Sequence, residues 1–201
     1  MDKDKVRTHI LHKALEMFSE RGVSAVRMDD IARKLSVSKR TLYEMFSTKE
    51  NLLLECVTLH CHEEYQLLEE QIASGKDVLT ISLNYLTMAA SHSTDVNPVF
   101  LEDMKKSVVL SEWFEKLNNT FEDGILKILK LGVSQGVFRT DVDLEVAASA
   151  SKAIRDSFMK RGADRKFSMK QVFESAILVQ LRGLSTPKGI ELLENFKAYN
   201  K

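Results

Sequence analysis

The chain has 201 residues with 29 basic and 29 acidic side chains, so its formal net charge is zero. Only 8 Gly and 2 Pro occur, which argues against an all-β fold and against low-complexity disorder, because both are rich in turn-forming residues. No run reaches the roughly 18 apolar residues of a membrane span, and no signal-peptide pattern opens the chain. With two cysteines and no membrane segment, the composition predicts a cytoplasmic protein that does not hold nucleic acid through bulk positive charge.

Helical periodicity dominates the first third of the chain. A first helix ends at Gly22 and carries one apolar stripe, formed by Val6, Ile10, Leu11, Ala14, Leu15 and Phe18. Two short helices follow, over 29–35 and 39–46, with a break at 36–38. A long helix is predicted from Thr48 to about Ala73, with Ser47 or Thr48 as its cap.

The remaining residues predict further helices and no strands. They begin near Asp77, at Asn97-Pro98, at Ser111, at Asp141 or Asp143, after Ser168 and at Thr186-Pro187. The predicted fold class is therefore all-α.

Charge is distributed unevenly along this neutral chain. Residues 21–49 hold seven basic and three acidic side chains, whereas residues 56–201 hold 18 basic and 20 acidic ones. The total of zero thus averages a slightly basic head with a slightly acidic body.

The spacing of the two short helices is typical of a helix-turn-helix, in which the second helix enters the major groove of DNA. That helix begins Lys39-Arg40-Thr41, which offers charged and hydroxyl donors to phosphates and base edges. Leu42 and Phe46 lie four residues apart and can face the core. The alternative is a solvated amphipathic helix pair in an ordinary bundle, and the spacing favours DNA binding over it.

This segment resembles the TetR family of bacterial transcriptional regulators. The resemblance lies in Asp30-Ile31-Ala32, Leu35 to Tyr43, Phe46 and Lys49 to Leu53, and continues upstream through Ala14, Phe18 and Gly22. A weaker resemblance spans residues 136–148. The family pattern implies a DNA-binding domain over 1–47 and an effector-binding and dimerisation domain over 48–201.

The resemblance also implies which side chains meet DNA: Lys39, Arg40, Thr41 and Tyr43, with Tyr43 and Lys49 mainly on phosphates. Arg27 stands where members often carry Thr or Ser, and it can substitute as a charged phosphate ligand. Ser36 stands at the usual turn glycine, which is strained if that position needs a positive φ.

For the body, the resemblance implies a homodimer and a small-molecule effector. Pocket candidates are the aromatic and Met side chains, which suit a hydrophobic or amphipathic ligand although each is individually more typical of core: Tyr85, Met88, Phe100, Met104, Trp113, Phe114, Phe121 and Phe158. Two helices with small or apolar faces are interface candidates, unless those faces pack only within the monomer: Ala147, Ala150, Ile154, Val172, Phe173, Ala176, Ile177, Gln180 and Leu181.

Cys56, His60 and Cys61 form the one cluster of metal-ligand types, but no second cluster completes a tetrahedral site. Buried Cys and partly exposed His are the expected roles, and we predict no metal or other cofactor. No nucleophile, phosphate loop or carboxylate pair stands out, so we predict no enzyme.

Together these patterns predict a homodimeric, ligand-responsive regulator that binds double-stranded operator DNA and no membrane. It is expected to act as a repressor that a small effector releases from a pseudo-palindromic operator. The alternative is a helical adaptor or metal-handling module that does not bind DNA.

Overall fold

A computed structural model of the chain describes residues 3–92, 97–160, 167 and 169–199. Its helices are α1 (Lys3–Arg21), α2 (Met28–Lys34), α3 (Lys39–Phe46), α4 (Lys49–Ala73), α5 (Val78–His92), α6 (Pro98–Lys106), α7 (Val108–Ser134), α8 (Leu144–Lys160), α9 (Met169–Val172), α10 (Leu178–Leu184) and α11 (Pro187–Tyr199). A π-helical segment, Phe173–Ile177, joins α9 to α10. Apart from one isolated bridge between Phe138 and Ser185, the described residues contain no β-structure, which confirms the all-α prediction.

The chain divides into two compact units. The first comprises residues 1–66 with 95–113, and the second comprises residues 67–94 with 114–201. The first unit thus contains α1–α3, most of α4 and all of α6. The functional boundary between residues 47 and 48 is a different division of the chain, and it stays a prediction.

The core of the first unit is built from the apolar stripes that the periodicity predicts. Many of its fully buried side chains come from α1, α2, α3 and α4, among them Ile10, Phe18, Ile31, Leu42, Phe46, Leu52 and Leu53. Burial of these apolar surfaces is what holds helices as short as α2 and α3 in place, since such helices are unstable alone.

The second unit has its own apolar core. Its buried members come from α5, α7, α8, α10, α11 and the loop after α7, and include Val78, Leu79, Leu83, Leu129, Val137, Phe138, Ala148, Leu178 and Leu193. Phe138 lies where a side chain on Gly132 would stand, 2.1 Å from an added Cβ, so only glycine fits there. The turn at Gly136 has φ +71, as expected of a helix stop.

The caps explain most of the helix boundaries. Asn97 accepts a hydrogen bond from the N–H of Val99 at 2.9 Å, and Asp143 accepts from the N–H groups of Glu145 and Val146. Helix α7 begins at Val108, earlier than the predicted start at Ser111, because the Ser107 hydroxyl accepts from the N–H of Leu110. The predicted cap Ser168 lies outside the described residues.

No helix among the described residues is long and apolar enough to span a membrane.

Candidate nucleic-acid interface

Helix α3 has one apolar face in the core and one polar face in solvent. Leu42 and Phe46 are 0 % and 2 % exposed, whereas Tyr43 is 42 % exposed. Lys39, Arg40 and Thr41 are exposed as well. The structure therefore brings the four side chains predicted to meet DNA to the outer side of one short helix.

The first turn of α3 is fixed by Ser38. Its hydroxyl oxygen accepts a hydrogen bond from the N–H of Thr41 at 3.0 Å and lies 2.7 Å from the Thr41 hydroxyl. This N-cap satisfies an N–H that the helix leaves without an intrahelical partner. It also orients Thr41, so the hydroxyl proposed to meet DNA is held by its neighbour.

Both cations at the start of α3 are paired with carboxylates. Lys39 Nζ lies 2.8 Å and 2.9 Å from the two oxygens of Asp29 on α2. Arg40 Nε donates to Glu44 at 2.7 Å along α3. The hydrogen bond that Lys39 donates to Asp29, together with the charge of that carboxylate, raises the pKa of Lys39. All four side chains are substantially exposed, and exposed pairs of this kind are weak.

The turn before α3 contains the strained residue that the sequence indicates. Ser36 has φ +55, in the left-handed region that favours glycine, and its side chain is exposed. Leu35 and Val37 keep the turn closed through backbone N–H groups that donate to Ile31 and Ala32.

Arg27 begins α2 as its N-cap residue, with an extended backbone. Its N–H donates to the carboxylate of Asp30 at 3.1 Å, so the cap is provided by Asp30 rather than by the Arg27 side chain. The exposed Arg27 side chain forms no ion pair with the described residues. A phosphate contact from Arg27 stays a prediction.

Lys49 makes a contact that sequence reasoning missed. Its ammonium group donates to the carbonyl oxygens of Val23 at 2.8 Å and Val26 at 3.0 Å, in the loop between α1 and α2. An ammonium group has three donors, so one remains for another acceptor. Lys49 thus supports the loop, and its predicted phosphate contact would use the donor that remains.

The same loop is held from another direction by Asp103 on α6. The Asp103 carboxylate is buried and accepts from the N–H of Ser24 at 2.7 Å. Burial acts to raise the pKa of Asp103, but the hydrogen bond from Ser24 and the nearby Lys106 outweigh it and hold the pKa below its ordinary value. A side chain on Gly22 would stand 2.9 Å from Val99, so α6 packs closely on the loop.

The two ends of α6 make further contacts within the first unit. At its start, Asn97 donates from its backbone N–H to the carbonyl of Ser19 at 2.8 Å, and from its side chain to Glu20 at 3.0 Å. At its end, the Ser107 hydroxyl donates to Glu50 in the first turn of α4. No sequence pattern indicates these contacts, because their partners lie far apart along the chain.

Arg7 connects α1 to the C-terminal end of α3. Its guanidinium donates to both oxygens of Glu55, at 2.7 and 2.6 Å, and to the carbonyl of Met45 at 3.1 Å. It also lies 4.4 Å from the centre of the Phe46 ring. These contacts fix the orientation of α3 against the two longer helices.

The structure describes only part of the candidate effector pocket. Phe100 and Met104 on α6 are 7 % and 4 % exposed, within the first unit. Trp113 is half-buried in the same unit. The side chains of Tyr85, Met88, Phe114, Phe121 and Phe158 lie outside the described residues.

The candidate interface residues divide between core and surface. Ala147 and Val172 are buried, and the Gln180 amide donates to the carbonyl of Ala147 at 3.1 Å, so these three pack within the second unit. Ala150 is exposed, and the side chain of Phe173 lies outside the described residues. The others are half-buried: Ile154, Ala176, Ile177 and Leu181.

No group of three His, Cys, Asp or Glu side chains in the described part of the chain is arranged to hold a metal ion. Cys56 is buried, and burial, followed by the charge of Glu55, raises the pKa of its thiol to about 12. The exposed His60 lies 3.5 Å from Glu64, one turn further along α4. Cys56 and His60 thus occupy the buried and exposed positions predicted for them, whereas Cys61 is only half-buried.

Comparisons with known proteins agree with this geometry. Residues 10–56 match the family model described as bacterial regulatory proteins, tetR family. The HTH-type transcriptional repressor KstR2 of Rhodococcus jostii is 31 % identical over 149 residues, which cover 70 % of this chain and 72 % of that protein. The HTH-type transcriptional regulator QacR of Staphylococcus aureus is 27 % identical over 191 residues, which cover 91 % and 98 %.

A solved structure of a transcriptional regulator from Saccharomonospora viridis, in complex with choline, shares the fold. Its TM-score is 0.64 at 20 % identity, with 86 % of this chain and 93 % of that chain covered.

Proposed function

This chain belongs to the TetR family of bacterial regulatory proteins, and from that premise we propose that it is a homodimeric repressor which binds operator DNA through α3. It is a transcriptional regulator and not an enzyme, as the sequence predicts. Family membership also disfavours the alternative hypothesis of a helical adaptor or metal-handling module that does not bind DNA. In our proposal the regulator acts in the cytoplasm and needs no cofactor.

The observation that carries the proposal is the polar face of α3. Lys39, Arg40, Thr41 and Tyr43 are exposed there, while Leu42 and Phe46 anchor the helix in the core. A helix presented in this way can enter the major groove, with Lys39 and Arg40 reaching base edges and the Tyr43 hydroxyl reaching a phosphate. In a dimer, two such helices would reach successive grooves of a pseudo-palindromic site about 34 Å apart.

The proposal is tested by selection of a duplex from a random library with the wild-type protein, followed by fluorescence anisotropy titrations at several salt concentrations. We expect one preferred, pseudo-palindromic sequence and an affinity that falls steeply with salt. Tyr43→Phe removes only the hydroxyl and should weaken binding about fivefold. If no duplex were enriched, or Tyr43→Phe bound as tightly as wild type, the assignment of α3 to DNA would be wrong.

For the dimer, we propose the exposed apolar strip on α8 and α10 as the contact surface. Val146 and Val179 are 65 % and 61 % exposed, and Ala150 and Ala153 are exposed on α8. Small side chains allow close packing of helices from two subunits into a four-helix interface. This surface retains Ala150 from the predicted interface and replaces Ala147 and Val172, which the second unit buries.

The dimer surface is tested by Val146→Glu and Val179→Glu. An added carboxylate on each side of a two-fold interface stays charged and is costly to bury. We expect both variants to sediment as monomers and to lose most of their operator affinity, whereas the control Val108→Glu remains a dimer. Val108 is 72 % exposed but belongs to the first unit.

The effector is proposed to be a hydrophobic or amphipathic small molecule. Support for its apolar character comes from the aromatic and Met side chains of the body, and the S. viridis regulator solved with choline supports a small-molecule ligand in general. Helix α4 offers a physical link, because it begins beside the loop held by Lys49 and ends in the second unit. A thermal-shift screen of small molecules, followed by operator release, tests this part; compounds that stabilise the protein without releasing DNA would contradict it.

A further inference from the structure

We propose that Asp29 and Glu44 are specificity-determining residues: they keep Lys39 and Arg40 from binding DNA phosphates indiscriminately. This inference rests on the proposed function of α3. Asp29 and Glu44 are positioning residues in this scheme, because they act through the cations that they hold. Their carboxylates would be exchanged for base-edge acceptors only when the correct sequence is in place.

The charges of this group support the proposal. Lys39 is held by Asp29 at 2.8 Å, and Arg40 is held by Glu44 at 2.7 Å. Two cations and two anions sum to zero, so this group of four side chains presents no net charge to the phosphate backbone. Non-specific affinity comes almost entirely from cations that neutralise phosphates and release counterions, so this neutral group contributes little to it.

The geometry allows the cations to change partners. The Lys39 and Arg40 side chains are 60 % and 88 % exposed, so neither cation is locked in place. Arg and Lys make their best specific contacts with paired acceptors such as O6 and N7 of guanine. Such acceptors can take over from a carboxylate in an exposed ion pair, which is weak. A phosphate must displace the same carboxylate and only exchanges one anionic partner for another, so the contact gains little and neutralises no additional charge.

Asp30 provides a matched control on the same helix. It has the same charge as Asp29 and neighbours it, but its oxygens contact the Arg27 N–H and, at 3.6 Å, Arg33. It holds neither cation of α3. Asp30→Asn keeps an acceptor for the cap and changes the net charge by the same amount as Asp29→Asn.

The experiment measures the affinity of the full-length protein for two duplexes across a salt series. One duplex carries the sequence selected by the wild type, and the other is a scrambled duplex of equal length and composition. Asp29→Asn and Glu44→Gln should each tighten binding to the scrambled duplex about fivefold and to the selected duplex about twofold or less, with a salt slope on scrambled DNA steeper by about 0.9. Asp30→Asn should leave the preference between the two duplexes unchanged.

A double-mutant cycle separates action through Lys39 from direct repulsion between Asp29 and DNA. In the Lys39→Gln background, Asp29→Asn should change neither affinity. If it tightened binding there as much as in the wild type, or if Asp30→Asn matched Asp29→Asn, the proposal would be overturned. A different outcome is that the wild type prefers its selected duplex while Asp29→Asn raises the affinity for both duplexes equally. That outcome overturns this inference and leaves the proposed function of α3 intact.

Discussion

Lys39 and Lys49 begin consecutive helices, yet their ammonium groups have opposite environments. Lys39 faces solvent and is paired with an exposed carboxylate, whereas Lys49 is half-buried against two backbone carbonyls. Asp29 and Asp103 differ in the same way, since Asp29 pairs with an exposed cation and Asp103 accepts a backbone N–H from a buried position. Burial and partner type, rather than residue type, thus distinguish the surface proposed to bind DNA from the residues that support it.

The largest expected effect comes from the buried side of this comparison. Asp103→Ala leaves the Ser24 N–H without its charged acceptor, which should lower the free energy of unfolding by about 2–3 kcal/mol. Urea unfolding followed by the fluorescence of Trp113, the one tryptophan of the chain, reports on the first unit. Asp103→Asn retains an acceptor without the charge and should lose less; an Asp103→Asn variant as stable as the wild type would contradict a role for the carboxylate charge.

Asp103 should also make stability depend on pH. Its pKa is lowered in the folded protein, so its contribution is present above the unfolded value of about 3.8 and is lost as pH falls through the lower folded pKa. Acid titrations of the wild type and Asp103→Asn should therefore converge below pH 3.8. If the stabilities of the two proteins fell in parallel down to the acid transition, Asp103 would not be the group that makes stability depend on pH.

A paired substitution compares the two lysines directly. Methionine retains most of the apolar stem of lysine and removes its charge. Lys49→Met leaves the Val23 and Val26 carbonyls without their donor and should destabilise the protein by about 1–2 kcal/mol. Lys39→Met should change stability by less than about 0.5 kcal/mol, because it removes only an exposed pair. Equal losses of unfolding free energy in the two variants, measured by urea unfolding, would contradict the different roles given to Lys39 and Lys49.

The smallest expected effect is a gain, at the turn before the recognition helix. Ser36 has φ +55, so Ser36→Gly should relieve strain and stabilise the protein by about 0.5–1 kcal/mol, after the greater freedom of glycine in the unfolded chain is subtracted. Ser36→Ala keeps the strain and should show no gain. A thermal melt of the three proteins decides between these outcomes.

The fold could be predicted from the sequence because its determinants are local. The stripes of α1 and α3, the Asn97-Pro98 cap and the stop at Gly136 each lie within a few residues. Periodicity does not reveal which neighbouring residue supplies a cap, so the start of α7 was predicted at Ser111 although the Ser107 hydroxyl caps the helix.

The candidate site could be predicted only in part, for a related reason. The exposed residues of α3 follow from the position of Leu42 and Phe46 on its opposite face. The roles of Lys49 and Asp103 depend on partners in a distant loop, and no spacing rule indicates them. Ala147 was predicted at the interface because small residues suit either a core or a contact surface, and only the fold distinguishes the two.

The double variant Lys39→Met, Arg40→Met tests whether exposed cations on α3 bind DNA while the supporting residues Lys49 and Asp103 stabilise the fold. Its affinity for the selected duplex and its urea unfolding curve are measured on the same preparation. We expect an affinity loss of about a hundredfold with an unchanged unfolding midpoint. An affinity equal to that of the wild type, or a loss matched by unfolding, would contradict it.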